Sequence, residues 1–83
     1  MRAEDLLPDE QNRIELAGTV IRKGTVGAFL MNAAVWLDPH AGVVNRSQAE
    51  ADLQAALPAL RALGLFEVLE VRDAALRQWL ATR

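Results

Sequence analysis

The 83 residues contain no cysteine, which removes disulfides, thiolate metal ligands and a thiol nucleophile together. Tyrosine is also missing, and His40 is the one histidine, so the usual acid–base and metal-binding side chains are nearly absent. Basic charge is not in excess: nine Lys and Arg stand against eleven Asp and Glu, for a net charge of −2. The bases are scattered, and Arg22-Lys23 is their one adjacent pair, whereas phosphate binding draws on a concentrated basic surface. Nucleic acid is therefore an improbable partner. The longest apolar run, residues 26–37, is interrupted by Asn32 and falls short of the roughly twenty residues a membrane span needs. The segment before it is long and acid-rich, with no basic n-region of a secretory signal, so the expected location is the cytoplasm, with no membrane partner.

What is present is globular. Hydrophobic residues make up 52% of the chain and charged residues 24%, values that exclude disorder and low complexity. The length suits a single small domain over residues 1–83. Residues 1–11, polar and acidic around Leu6-Leu7 and Pro8, read as a loosely held arm with at most one helical turn.

Two β-favourable runs follow, Arg13-Ile14-Glu15-Leu16 and Thr19-Val20-Ile21-Arg22-Lys23, separated by Ala17-Gly18. They predict a hairpin. Because Ala17 disfavours positive φ, a three-residue loop with Gly18 left-handed is the expected connection. A helix through this stretch, and with it an all-α fold, is the other reading.

Gly24-Thr25 then opens a helix over about 26–38, with Thr25 as its predicted N-cap and Pro39 beyond its end. Val26, Phe29, Leu30, Ala33, Trp36 and Leu37 share one side at helical spacing. The opposite side, with Gly27, Ala28, Met31, Ala34 and Val35, is no more polar. A helix apolar all round is buried on several sides. In so small a chain, it is either the central element wrapped by the rest, or one face meets a second copy. A homodimer or another protein partner is thus expected, with Met31, Val35, Trp36 and Trp79 as interface candidates.

Residues 38–42 form a loop, and Ser47 with Glu50 fits a capping box that starts the next helix. Ala49, Leu53, Ala56, Leu57, Leu60 and Leu63 give that helix one apolar side, with Pro58 on the polar side as a tolerated kink and Gly64 as its left-handed stop. Residues 65–71 (LFEVLEV) are a candidate third strand, or else a helical turn. Asp73 caps a last helix over 74–81, which carries Leu76, Trp79 and Leu80 on one face. The fold class expected is small α+β: a hairpin of two or three strands, two main helices and a short C-terminal helix.

Two stretches carry a resemblance. Arg22-Lys23-Gly24-Thr25-Val26-Gly27-Ala28-Phe29-Leu30-Met31-Asn32 and Leu57-Pro58-Ala59-Leu60-Arg61-Ala62-Leu63-Gly64-Leu65-Phe66 resemble stretches of a group of short bacterial proteins of unknown function. That group shares a GTV-A-(F/M)-L-x-N helix start and a P-x-L-x-x-x-G-L-F segment. The resemblance spans residues 13–70 and implies a shared fold with a strand–turn–strand before the first helix. It implies no chemistry.

Candidate sites are few. Gly24-Thr25-Val26-Gly27 matches a GxxG loop, which in some nucleic-acid-binding domains clamps the backbone. Here Arg22-Lys23 precede it where apolar residues are needed, so a capped turn into the helix explains it better. An anion held by Arg22, Lys23 and Thr25 is the intermediate reading. Asn32, on an otherwise apolar helix, needs either a ligand or nearby backbone to satisfy its amide, and backbone of the hairpin or of the 39–46 loop is the simpler answer. Asp38 and His40 alone cannot hold a metal, and Glu67 with Glu70 read as solvated charges. No catalytic set, phosphate loop or dinucleotide fingerprint is visible. The chain is expected to be non-enzymatic and to bind no cofactor or metal.

Overall fold

A computed structural model of the chain describes residues 2, 5, 13–16 and 18–83. Two strands, β1 (Arg13–Leu16) and β2 (Thr19–Arg22), are followed by helices α1 (Thr25–Leu37), α2 (Val43–Leu63), α3 (Leu65–Val68) and α4 (Ala74–Ala81). The expected α+β class holds, and the hairpin removes the all-α alternative. The expected arm over residues 1–11 lies largely outside the described residues. Arg2 and Asp5 are described, and they close a turn in which the Arg2 N–H donates to the Asp5 carboxylate at 2.9 Å.

β1 and β2 pair antiparallel, with Arg13 opposite Arg22 and Leu16 opposite Thr19. The connection is therefore two residues long, not the three expected. Gly18 supplies the positive φ, +80°, at its second position. Ile21 is the anchor of the hairpin: it is buried, and β2 packs onto α2. A two-stranded hairpin is marginal alone, so this seat on α2 is what stabilises it.

α2 organises the remainder, packing against α1, α3 and β2. Ala49, Leu53, Leu57 and Leu60 are buried, as their spacing predicts, with Leu53 and Leu60 wholly enclosed; Ala56 and Leu63 of the same predicted side are only half-buried, and Ala59, outside it, is buried as well. Phe29 and Ala33 of α1 and Leu76 of α4 complete the core, with Trp36, Phe66 and Trp79 packed at its margin. Pro58 lies inside the continuous helix on its exposed side, where a lost backbone bond faces water.

The start of α2 differs from expectation. Ser47 and Glu50 do not form its cap; the helix begins four residues earlier at Val43, from an extended Gly42 with no side-chain cap. The reversal before it comes from Asp38, whose carboxylate accepts the His40 backbone N–H at 2.8 Å. The first helical bond follows, Arg46 N–H to the Gly42 carbonyl at 2.9 Å. Val43 and Val44 are exposed and β-branched, so neither apolar spacing nor propensity announces this extra turn.

Gly64 ends α2 at φ +79°, as expected. The stretch after it is not a third strand. Leu65–Val68 is one helical turn, and the chain leaves it at an extended Leu69 and has no strand partner over 69–71 among the described residues. Continuing directly from the left-handed Gly64, the turn brings Phe66 edge-on to Phe29, with ring centres 6.0 Å apart. Burial of that aromatic contact decides between two readings that local propensity left balanced. Asp73 caps α4 as expected, accepting the Leu76 N–H at 2.8 Å.

Candidate functional site

The described residues do not wrap α1 on every side. It rests on α2 through Phe29 and Ala33, with Trp36 half-buried beside them. Val26, Leu30 and Leu37, expected on the same buried side, lie at the edge of that face and stay open. At about 100° per residue they sit some 60–100° round from Phe29, beyond the reach of α2. Leu30 is 62% exposed and Met31 74%.

The open side of α1 forms one wall of a groove of about 500 Å³. Val26, Leu30, Ala34 and Leu37 line that wall, and Phe29, Ala33 and Leu76 lie deeper. The facing wall is the stretch from α3 to the start of α4: Leu65, Phe66, Leu69, Val71, then Glu70, Arg72 and Asp73 at the rim. Leu69 is 58% exposed, an apolar side chain presented to solvent on an extended segment. Arg77 braces this wall, donating to the Val71 carbonyl at 3.0 Å and the Arg72 carbonyl at 3.3 Å. Its guanidinium also lies 3.9 Å from the Glu70 carboxylate. Scattered apolar residues on a surface are ordinary; here the apolar side chains of the two walls are contiguous. Leu30, Leu37 and Leu69 are not among the four interface residues expected from the sequence. The exposure of Leu30 and Leu37 depends on which part of an all-apolar helix α2 covers, and Leu69 lies outside that helix.

The four interface candidates separate. Met31 is open to solvent on the outer side of α1. Val35 is half-buried near the loop after α1, lining a shallow hollow with Asn32, Asp38 and Gln48. Trp36 and Trp79 pack on each other within the chain, with ring centres 6.1 Å apart. The Trp36 indole N–H donates to Glu50 at 3.1 Å, and the Arg83 guanidinium covers the Trp79 ring at 4.8 Å. Both tryptophans thus belong to the margin of the core, joining α1, α2 and α4.

The binding candidates Arg22, Lys23, Thr25 and Asn32 do come together, in a second groove between the hairpin corner and α2. Thr25 is not the N-cap expected of it. Gly24, left-handed at φ +86°, holds that position, and the Thr25 hydroxyl donates back to the Arg22 carbonyl at 2.7 Å. With the turn made by Lys23 and Gly24, Thr25 is already helical, so its hydroxyl lies over the end of β2. Asn32 is half-exposed rather than enclosed, and its side chain makes no hydrogen bond among the described residues, so the expected bond to backbone of the hairpin or the 39–46 loop is not formed there. Asp52 lines the same groove and sets a carboxylate against any anion there.

Among the described residues no group of three or more His, Asp or Glu is placed to hold a metal, and no helix is long and apolar enough to cross a membrane. No protein-family model, curated protein or solved structure matches this chain.

Proposed function

We propose that the protein is a non-enzymatic association module of the cytoplasm, acting by self-association or by holding a partner protein on the apolar groove of α1. One observation carries the reading: Leu30 and Leu69, both more than half exposed, line one continuous apolar groove. Covering such a groove releases the water held against it, at about 25 cal/mol per Å² of apolar surface removed from solvent. The fold and this mode of action would extend to the short bacterial proteins that share its two motifs.

A photo-crosslinking residue placed at Leu30, compared with one at exposed Gln54 on the far side of α2, tests the reading in cells. Adducts of discrete mass at position 30 and none at position 54 are expected. Equal labelling at both positions, or none at either, would remove the groove as an association site.

A second reading draws on the convergence of Arg22, Lys23 and Asn32 in one groove: an anionic ligand, such as a single-stranded oligonucleotide, would lie along it. Its binding should weaken steeply with salt and vanish on replacing Arg22 and Lys23 with Ala. Binding that is insensitive to both would sink it.

A further inference from the structure

The exposed side of α1, from the groove wall round to Gly27 beside it, has a pattern finer than apolarity. Gly27, Leu30, Ala34 and Leu37 recur at spacings of three, four and three, the seam of a two-heptad helix pair. All four are exposed, and they fall within about 80° of arc. Small and large residues alternate along the seam. If a second α1 runs antiparallel, related by a two-fold axis at the level of residue 32, Leu30 of one copy faces Ala34 of the other. Leu37 then faces Gly27 in the same way. Each leucine meets a small residue at every level, which lets two helices approach closely. A parallel pair instead sets Leu30 against Leu30 and Gly27 against Gly27, leaving alternate clashes and gaps.

Charge selects the same arrangement. Arg22 and Lys23 stand just before the N-terminal end of α1, lining the second groove, and Asp38 follows its C-terminal end. Antiparallel pairing brings the basic end of one helix to the acidic end of the other and opposes the two helix dipoles. It also keeps both Leu69 walls on one side of the axis. The rim of each groove carries Glu70, Arg72 and Asp73, charges of both signs on a surface that would meet its own copy.

Resting on the association reading above, we propose that the occupant of the groove is a second copy of this chain, docked antiparallel through Gly27, Leu30, Ala34 and Leu37. Two heptads make a short seam, so the contact belongs to the small, concentration-dependent class of interfaces.

Because the chain has no cysteine, single-cysteine variants give a clean test. L30C and A34C are mixed and oxidised, with L30C alone and A34C alone as controls, and circular dichroism verifies that each variant is folded. The mixed 30–34 disulfide should dominate, since in this pairing the two 30 positions sit about 6 Å apart along the axis as well as across the interface, beyond disulfide reach. Sedimentation of the unmodified chain should show a monomer–dimer equilibrium, and L30E should raise its dissociation constant by at least about 30-fold. Preferential 30–30 disulfides would overturn the antiparallel pairing. A monomer at every concentration would overturn the second copy as occupant. In that case adducts of other mass from position 30 in cells would leave the association reading standing, and their absence would remove both.

Discussion

The indole N–H of Trp36 on α1 donates to the carboxylate of Glu50 on α2 at 3.1 Å, fourteen residues further along the chain. This bond ties the C-terminal end of α1 to the first half of α2 across the 38–42 loop. It also keeps the Trp36 ring turned inward against Trp79, away from the open side of α1.

Glu50→Ala should therefore lower the unfolding free energy by about 1 kcal/mol, the usual worth of a partly buried side-chain bond. Glu50→Gln keeps an acceptor oxygen and should recover most of the loss. Urea denaturation followed by tryptophan fluorescence measures both. Equal losses for Ala and Gln would show that the carboxylate charge, rather than the bond, matters.

Gly27 and Gly64 should respond in opposite directions to the same change. A Cβ at either position meets nothing within 4 Å, so space does not decide the outcome. Gly64 sits at φ +79°, where an L residue is strained, and Gly64→Ala should cost about 1 kcal/mol. Gly27 lies in the body of α1, and Gly27→Ala should stabilise the fold by up to about 1 kcal/mol through helix propensity. Thermal melts of the two variants, compared with the parent chain, would show the opposite shifts.

Asp73 caps a helix of eight residues, too short to persist without tertiary support. Asp73→Ala should cost about 1 kcal/mol, with Asp73→Asn close to neutral. Because Leu76 alone anchors this helix fully in the core, the loss should appear first as faster hydrogen exchange over residues 76–81. Uniformly raised exchange across α1 and α2 as well would mean that α4 does not open separately.

Much of this fold can be read locally. The spacing of Leu53, Leu57 and Leu60, the stop at Gly64 and the cap at Asp73 each depend on neighbours within a few residues, and each element forms where those signals lie. The start of α2 was hidden because it is set by the Asp38 turn and an extended Gly42, while Val43 and Val44 carry no apolar anchor. Residues 65–71 were ambiguous because their β-rich composition and their helical geometry are nearly balanced. The contact of Phe66 with Phe29 tips them toward a turn.

The amino-acid sequence alone determined that α1 would be apolar on every side, and hence that some of that surface would need a neighbour. Which part was already satisfied could not be known from periodicity, since an all-apolar helix has no polar face to mark its outer side. Packing decided it: α2 covers Phe29 and Ala33 and is too narrow to reach Leu30. The extended chain after α3 then passes alongside the uncovered stripe and makes it one wall of a groove. The place of that groove is a property of how two helices and a short connecting segment meet, and no single stretch of residues encodes it.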